Sequence, residues 1–336
     1  MPVAPTESRL RQFIALQGDA LLVLGARRIP PLPCPAANTF YSMSIVTSVG
    51  FTTLESTEYV EAVQKLKPDI VLGMGDVVEH RPSPKRLEKM GDRTQAWLKD
   101  LIEGITDEDD GAPGTALFAP ILPIEPEQQS YYLQALQDDY SDNLSGVVLY
   151  DTNSVPSIPK KLNHLPRLST ANLGSPHKVL DAVSSGIDMF TIPFIGQTTD
   201  AGIALDFSFP AKPRQESDTL VPLGLDMWSS AHATDMSPLR ANCKCYTCLN
   251  HHHRAYVHHL LSAKEMLGWI LLQVHNHCTM DDFFSGIREC IREGSFMKEL
   301  QNYGMRYEAD LPAKSGQGPR YVVSFMHESL PTITLV

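Results

Sequence analysis

Short apolar segments alternate with amphipathic segments through most of the chain before residue 210. Apolar runs bounded by turn residues predict buried strands, and apolar positions three or four residues apart predict helices. The predicted strands are Asp69–Met74, Thr115–Ile121, Gly146–Tyr150, Arg167–Leu173, Asp188–Pro193 and Ile203–Phe209. The predicted helices are Glu58–Leu66, Lys85–Ile102, Glu125–Gln137 and one that begins at Ser175. This alternation indicates an α/β fold with parallel strand pairing, and the number of units favours a (β/α) barrel over an open doubly wound sheet.

The two ends of the chain depart from this alternation. In the first fifty residues, Leu21–Gly25 and Phe40–Val46 have the composition of strands, but the rigid segment Pro30–Pro35 separates them. We therefore expect divergent or incomplete N-terminal strands in the barrel. Beyond residue 250, the pattern predicts a helix from Tyr256 to His275, a second helix from Asp281 towards Leu300 and a late strand at Arg320–Phe325.

Composition and charge restrict the class of protein. The 336 residues are 43% hydrophobic, enough for a substantial core, and carry a net charge of −11. Phosphate binding needs clustered Lys and Arg, so this charge argues against a protein that holds nucleic acid by itself. The first residues lack a secretory signal pattern, and no run reaches the ~18 apolar residues of a membrane span. We therefore expect a soluble cytoplasmic protein.

Three cysteines lie within six positions of each other, at Cys243, Cys245 and Cys248, and His275 follows after 26 residues. Thiolates and an imidazole in this combination are typical ligands of zinc in a closed tetrahedral site. In a reducing compartment, cysteines at such spacing are more often metal ligands than disulfide partners. We therefore predict one zinc ion held by these four side chains. Four protein ligands leave no open coordination position, so the ion would stabilise structure and perform no chemistry.

The region around these cysteines resembles the zinc segment of tRNA-guanine transglycosylases. The resemblance rests on Cys243–Leu261, on Glu265–Gly268 and on the pair His275-Asn276, and it extends to Gly174–Lys178 and Ser185–Phe190. It implies a (β/α)8 barrel of the TIM type with a zinc-binding subdomain near the C-terminus. It also implies the chemistry of that family, which exchanges a guanine in tRNA for a modified base.

One departure from the family concerns the metal itself. The spacer between Cys248 and His275 is one residue longer than in the family pattern. The extra residue is assigned to His251–His253, where a loop absorbs it. His277, Cys278 or one of these three histidines is an alternative fourth ligand, although His275 is the ligand that we predict.

The positions that carry catalysis in the family are altered in this chain. After the strand that ends at Phe190, the family has a nucleophilic aspartate, and this chain has Thr191. A threonine hydroxyl does not trap an oxocarbenium-like carbon without a base beside it. Leu122 stands where the family reads the base with a glutamine, and Tyr150-Asp151 replaces a glycine pair. The family's acid/base motif Asp-Ser-Gly-Gly-Phe-Gln does not occur. Asp76 matches a base-recognising aspartate of the family, and the alternative is a strand-end carboxylate that caps the following loop.

This combination resembles the non-catalytic accessory branch of the eukaryotic family. The segments that carry this second resemblance are Asn250–Tyr256 and Phe207–Phe209. The resemblance implies a heterodimer with the catalytic subunit of queuine tRNA-ribosyltransferase, formed through the zinc subdomain, which binds tRNA as a complex. It implies that the chain has no catalytic residues and is not an enzyme by itself. Family analogy adds the mitochondrial outer membrane surface to the expected cytoplasmic location.

The sequence predicts four segments along the chain and leaves two alternative functions open. We divide the chain into a divergent N-terminal segment (1–50), a barrel body (51–240), a zinc-binding subdomain with helices (241–305) and a C-terminal segment closing on the barrel (306–336). One alternative function is an active transglycosylase that uses Thr191, Asp200 or Asp151. The other is a zinc-stabilised scaffold with an unrelated partner.

Overall fold

The computed structural model describes residues 9–16, 18, 20–32, 34, 36–78, 82–106, 114–212 and 219–319. The predicted late strand at Arg320–Phe325 lies outside the described residues. The strands are β1 (Val23–Leu24), β2 (Ser42–Thr47), β3 (Gly50–Glu55), β4 (Ile70–Leu72), β5 (Ala116–Ile121), β6 (Gly146–Leu149), β7 (Arg167–Ser169), β8 (Met189–Phe190), β9 (Ile203–Leu205) and β10 (Gly224–Asp226). The α-helices are α1 (Arg9–Phe13), α2 (Ser56–Leu66), α3 (Pro84–Thr106), α4 (Ser130–Asp138), α5 (Pro176–Ser184), α6 (Phe194–Asp200), α7 (Tyr246–Leu249), α8 (Arg254–Ser262), α9 (Met266–Arg292) and α10 (Phe296–Arg306).

Six strands form a parallel sheet in the order β1-β4-β5-β6-β7-β8. Every residue of β4 and β6 is buried. A parallel strand that is covered on both faces has this property, and its sequence is therefore an unbroken apolar run. One face of the sheet forms a cluster of buried side chains, namely Ile70, Leu72, Phe118, Val148 and Leu168. The predicted α/β class with parallel pairing is confirmed, and closure into an eight-stranded barrel stays a prediction.

The helix that follows β3 shows how local sequence sets its boundaries. At the start of α2, Glu55 and Glu58 form a reciprocal capping box, in which the backbone N–H of Glu55 donates to the carboxylate of Glu58 at 2.9 Å. At its end, Lys67 adopts the left-handed conformation that closes a helix. Tyr59 and Val63, one turn apart, are buried on the same face of α2. The predicted helix from Glu58 is therefore present and begins two residues earlier.

The two N-terminal strands, β1 and β2, pair in different sheets. β1 joins the parallel sheet beside β4, with Val23 opposite Ile70. β2 pairs instead with β3 in a separate antiparallel hairpin, closed where Thr47 faces Gly50. Residues 50–55 were not predicted as a strand because β3 is mostly exposed and has no apolar alternation.

The prediction of a parallel strand at Ile203–Phe209 is wrong in two respects. β9 ends at Leu205, and it pairs antiparallel with β10. Phe207 and Phe209 continue as non-regular backbone whose rings pack edge-on or tilted against Phe283 and Tyr303. The apolar alternation therefore reflects an aromatic cluster, since buried aromatic side chains give the same pattern whether or not the backbone is paired.

The helix boundaries after residue 250 also differ from the prediction. The predicted continuous helix is interrupted between α8 and α9, where Lys264 has a positive φ of 59°. α9 then runs without interruption past His275 to Arg292, so the predicted boundary between 275 and 281 is wrong. The backbone N–H of Ala263 bonds to the carbonyl of His259 and closes the last turn of α8. The sequence lacks a Gly or Pro at this break, which is the signal that would have predicted it.

Two compact units are present. The first comprises residues 1–172 and 182–192, and the second comprises residues 173–181 and 193–336. The parallel sheet lies within the first unit, and helices α6 to α10 lie within the second. The four-segment division of the chain stays a prediction. No helix in the described ranges combines the length and apolar composition that crossing a bilayer requires.

Candidate metal centre and the carboxyl edge of the sheet

The second unit brings together the four side chains predicted to bind metal. The sulfurs of Cys243, Cys245 and Cys248 each lie 3.6 Å from Nδ1 of His275. All four residues are buried, and their donor atoms lie within 4.8 Å of one another. The arrangement presents three sulfurs and one nitrogen to a common centre and can hold a metal ion.

Helical geometry positions the sulfurs. Cys245 is the N-cap of α7, and its sulfur accepts the backbone N–H of Cys248 at 3.4 Å. Residues three apart on one helical turn lie on the same side, so Cys245 and Cys248 face the same centre. The hydroxyl of Thr247 donates to the carbonyl of Leu271 at 2.8 Å and ties α7 to α9, one turn before His275.

A backbone contact fixes the orientation of the His275 ring. Its Nε2 lies 2.9 Å from the carbonyl oxygen of Leu205. A carbonyl oxygen only accepts, so Nε2 carries the proton in this hydrogen bond. In the neutral ring, the lone pair therefore belongs to Nδ1, which points at the three sulfurs. This is the tautomer that a metal-binding histidine needs, with its second nitrogen held by a backbone carbonyl.

The pKa values of the clustered groups differ widely because the groups lie so close together. Hydrogen bonds from Cys245 and Cys248 hold the pKa of the Cys243 thiol well below its usual range. Hydrogen bonds to Cys243 and Cys245 hold the pKa of the Cys248 thiol far above it. Burial opposes the charge of His275, but its hydrogen bonds to Cys243, Cys245 and Leu205 outweigh burial and raise its pKa to about 9. If all three cysteines ionise, as metal ligands do, the adjacent thiolates need positive charge among them, which a cation at the centre would supply.

The side chains predicted as alternative fourth ligands are not among the four clustered donors. His277 is exposed, and its Nε2 lies 2.7 Å from Nε2 of Gln273. Cys278 is partly buried and is not one of the four clustered donors. His253 caps α8 by accepting the backbone N–H of Tyr256 at 3.2 Å. His275 is therefore the histidine whose ring joins the three sulfurs, and the placement of the extra spacer residue stays a prediction.

The three clustered cysteines belong to the core of the second unit. Trp228, Tyr256 and other partly buried side chains pack around them. The buried members of this core are Ala204, Met227, Leu239, Cys243, Cys245, Cys248, Val257, Leu260, Leu261, Trp269, Leu271 and Leu272. The three cysteines of the candidate metal site are therefore packed within this core.

In the first unit, Thr191 follows β8 at the carboxyl edge of the sheet. Its backbone N–H donates to the carbonyl of Ser169 at 3.0 Å, and its hydroxyl lies 3.2 Å from the same oxygen. The hydroxyl proton therefore points at a carbonyl oxygen, which is too weak a base to activate a nucleophile. Among the altered positions, Asp151 caps a short 3-10 turn by accepting the backbone N–H of Asn153 at 2.9 Å.

Asp76 lies at the same edge, after β4, and is fully buried. One carboxylate oxygen accepts from Arg86 and from Asn38, the latter at 2.7 Å. The other oxygen accepts from Arg93 at 3.0 Å. A base would contact this carboxylate only by displacing one of these three side chains. The base-binding role of Asp76 stays a prediction.

A cavity of about 810 Å³ opens at this carboxyl edge, within the first unit. Tyr150 and Asp151, the pair predicted to replace two glycines of the family, are on its wall. The Tyr150 ring lies against Gly75, where a Cβ would come within 2.6 Å of the phenol oxygen. Burial raises the pKa of Tyr150 to about 12, so the phenol stays neutral. Leu122 is fully buried, and its N–H and C=O are both bonded to the Gln129 side chain.

Two features beside the candidate sites were missed in the sequence. Asn276 was noted only as part of a motif, yet its side chain bonds Leu205, Ile203 and Thr199. The arginines around Asp76 were also missed. Arg86 and Arg93 are seven residues apart in α3, a spacing that places both on one helical face and was available as a signal.

Comparison with known proteins agrees with the resemblance read from the zinc segment. The family model described as queuine tRNA-ribosyltransferase matches residues 3–309. A Schizosaccharomyces pombe protein named queuine tRNA-ribosyltransferase accessory subunit 2 is 36% identical over 320 residues, covering 95% of this chain and 71% of the yeast protein. Proteins of the same name are 28% identical in Xenopus laevis (79% of this chain, 73% of theirs) and 30% identical in Drosophila grimshawi (88% and 73%). The chain belongs to the queuine tRNA-ribosyltransferase family.

Proposed function

We propose that this chain is a non-catalytic accessory subunit, which pairs with the catalytic subunit of a queuine tRNA-ribosyltransferase. The complex would exchange the wobble guanine, position 34, of tRNAs with GUN anticodons for queuine. The observation that carries this proposal is Thr191, whose hydroxyl is bonded to the Ser169 carbonyl where the catalytic chemistry needs an anionic oxygen. The relatives named accessory subunit 2 support the same role.

We propose zinc as the ion of the Cys3His cluster. Tetrahedral zinc, with its usual bonds to sulfur and nitrogen, places those two ligand atoms about 3.6 Å apart. The three distances from Nδ1 of His275 to the cysteine sulfurs are each 3.6 Å. The residues therefore fit the ion in donor type and in spacing. Cys243, Cys245, Cys248 and His275 would hold it, and its charge would stabilise the thiolates and pin α7 to α9.

An exposed apolar surface beside the metal centre supports heterodimer formation. Met266, Leu267, Ile270 and Val274 of α9 are between 38% and 54% exposed, at spacings that place them on one side of the helix. Exposed apolar patches of this kind mark protein interfaces. The nearby helix α7 adds two exposed apolar side chains, Tyr246 and Leu249. We propose that the catalytic subunit covers this surface, which we call the α9 face.

The remaining parts of the proposal concern architecture and location. We propose that the parallel sheet is part of a (β/α)8 barrel, because strands β4 to β8 lie side by side in chain order and α3, α4 and α5 occupy three of their four connections. We propose a cytoplasmic heterodimer, with the mitochondrial outer membrane surface as a site of association. The net charge of −11 is consistent with tRNA being held mainly by the partner.

Co-purification with the catalytic subunit tests the proposal. Tagged chain should retain the catalytic subunit in one-to-one ratio by size exclusion with light scattering, and queuine incorporation should require both chains. Ile270→Glu should weaken the complex at least tenfold, because a charge in a buried apolar contact is costly. Ile291→Glu is the matched control, since both isoleucines are 54% exposed and lie on α9.

Two results would contradict the proposal. One is queuine or guanine exchange by the isolated chain, which would identify an active transglycosylase. The other is failure to bind the catalytic subunit at micromolar concentration, which would favour a scaffold with an unrelated partner.

A further inference from the structure

The four side chains of the Cys3His cluster are almost completely shielded from solvent. Cys243, Cys245 and Cys248 are 6%, 5% and 9% exposed. His275 is fully buried. A metal site whose ligands are buried needs an entry path. Because Cys248 has the largest exposed fraction of the four, we looked for that path beside it.

A cavity of about 450 Å³ in the second unit reaches this side of the cluster. Cys243 and Cys248 are on its wall, whereas Cys245 and His275 are not. About six waters of a hydrated ion occupy roughly 180 Å³ at the liquid volume of ~30 Å³ each, so the cavity is large enough for an ion with its hydration shell. Three consecutive histidines, His251–His253, also line this cavity, and we call them the histidine loop.

The histidine loop folds back over α7 and lies beside Cys248. The backbone N–H of His251 donates to the carbonyl of Cys248 at 3.2 Å, and that of His252 donates to the carbonyl of Thr247 at 3.0 Å. His251 makes this turn with a φ of 59°, in the left-handed region that histidine and asparagine tolerate better than most residues. The backbone therefore fixes the loop at the end of α7 that carries a cluster sulfur.

Two of the three imidazoles are available to coordinate a metal ion. Nδ1 of His253 accepts the backbone N–H of Tyr256 at 3.2 Å, so that lone pair is already used. The rings of His251 and His252 form no hydrogen bond or ion pair with a described residue. His252 stacks instead on the ring of Tyr256, with centroids 5.5 Å apart. A neutral imidazole keeps one nitrogen lone pair, so both free rings can bind a cation.

The charge of the wall does not oppose a cation strongly. Arg240 is the one Lys or Arg among the described residues that line the cavity. Its guanidinium group is paired with the carboxylate of Asp282, and its Nη1 donates to the carbonyl of Phe207 at 3.1 Å. This pairing reduces the repulsion that a cation would meet at the wall.

We propose that this cavity admits zinc to the Cys3His cluster, with the imidazoles of His251 and His252 as transient ligands. Each imidazole would replace water bound to the ion and then give way to a cysteine sulfur, whose proton passes to solvent. Imidazole nitrogen is a usual zinc ligand, and a neutral ring binds without losing a proton, whereas a thiol has to lose one. This role rests on the zinc that we propose for the cluster.

Exchange of an enriched zinc isotope into the zinc-loaded chain tests this route. The double variant His251→Asn/His252→Phe removes both imidazoles and keeps the local structure, because Asn tolerates the left-handed φ and Phe preserves the ring contact with Tyr256. We expect exchange at least tenfold slower than in wild type, followed by mass spectrometry of the bound metal. Zinc affinity in chelator competition should be unchanged, since a transient ligand alters the rates of entry and release alike.

The matched control is His164→Asn/His259→Phe, because both histidines are exposed and neither lines the cavity. It should exchange zinc as wild type does. Wild-type exchange in His251→Asn/His252→Phe overturns the inference, as does equal slowing in the control. Weaker affinity with faster exchange also overturns it, because the loop would then stabilise the bound state. Wild-type chain that binds no zinc would refute the zinc proposal itself, so the two failures are distinguishable.

A second variant tests the cavity without altering the histidine loop. Met236 is on the wall and 70% exposed, and Met236→Trp adds a bulky ring there. We expect zinc exchange about threefold slower or more, with affinity unchanged. Met297→Trp is the control, because Met297 is 59% exposed on α10 and does not line the cavity. Equal exchange rates in the two tryptophan variants would contradict entry through this cavity.

Discussion

Nε2 of His275 donates a hydrogen bond to the carbonyl oxygen of Leu205 at 2.9 Å. The next residue completes the contact, because Oδ1 of Asn276 accepts the backbone N–H of Leu205 at 2.9 Å. Two consecutive side chains of α9 thus satisfy both backbone groups at the end of β9. The orientation of the His275 ring is therefore set by the strand against which α9 packs.

Replacement of one sulfur should release the metal. In Cys245→Ser, a hydroxyl that stays protonated at neutral pH replaces a thiolate, so bound zinc should fall from one equivalent to a small fraction. Helical content should change little, because the effect is local. The measurement is zinc per chain by atomic absorption, with circular dichroism alongside. Cys278→Ser is the control and should keep its zinc; unchanged zinc in Cys245→Ser would refute the ligand assignment.

Asn276→Ala should destabilise the second unit and loosen the metal site. It leaves the N–H of Leu205 and the carbonyl of Ile203 without their buried partner, and each orphaned group costs about 1–3 kcal/mol. Because Leu205 also orients His275, zinc affinity should fall about tenfold. Urea unfolding and competition with a zinc chelator measure the two effects. Asn302→Ala should change neither, since Asn302 bonds only the Glu299 side chain among the described residues.

The clustering of the cysteines at the candidate metal site was predictable because local sequence determines most of it. Cys245 and Cys248 are brought together by one helical turn, and the cysteine spacing specifies that turn. The role of Asn276 was not predictable, because its partners Ile203 and Leu205 are about seventy residues away in the chain. Such a contact depends on how α9 packs, which no local pattern encodes.

In the fold as well, the elements with a local sequence pattern were predicted and the others were not. The buried parallel strands, such as β5 and β6, were predicted because covered strands are continuously apolar. β3 and β10 were missed, since short or exposed strands carry no periodic signal. Phe207 and Phe209 were misassigned to a strand because tertiary packing against Phe283 buries them without strand pairing.

Gly286→Ala should be strongly destabilising. α9 passes so close to the preceding segment that a Cβ at Gly286 would lie 1.7 Å from the carbonyl oxygen of Phe209, and backbone cannot move aside easily. We expect a loss of about 3 kcal/mol or more in the free energy of unfolding. Gly304→Ala on α10 has open space around its Cβ and should stabilise by about 0.5–1 kcal/mol. In urea unfolding, we expect Gly286→Ala to lower the free energy of unfolding and Gly304→Ala to raise it. Equal changes in the two variants would contradict the close approach of α9 to Phe209.

His177 should make stability depend on pH. Its ring packs against Tyr303 with centroids 4.8 Å apart, and burial lowers its pKa, although Asp181 and Asp310 act in the opposite direction. The unfolded chain therefore takes up this proton more readily than the folded chain. Stability from this group is complete above the unfolded pKa of about 6.5 and decreases as pH falls below it. His177→Phe keeps the ring contact and removes the proton, so it should lose less stability than wild type between pH 7.5 and 5.5 in urea unfolding; equal losses would exclude His177 as the cause.

Thr191→Asp alone should not create base exchange. The new carboxylate would replace a hydroxyl that donates to the Ser169 carbonyl at 3.2 Å, so it would face that oxygen with like charge and turn away. Even a well-placed carboxylate would lack the acid/base partner, and Tyr150 would still lie against Gly75 on the cavity wall. The assay is incorporation of labelled guanine into tRNA by the purified variant without the catalytic subunit. The catalytic subunit is the positive control, wild-type chain is the negative control, and turnover by Thr191→Asp above wild type would show that the rest of an active site is present.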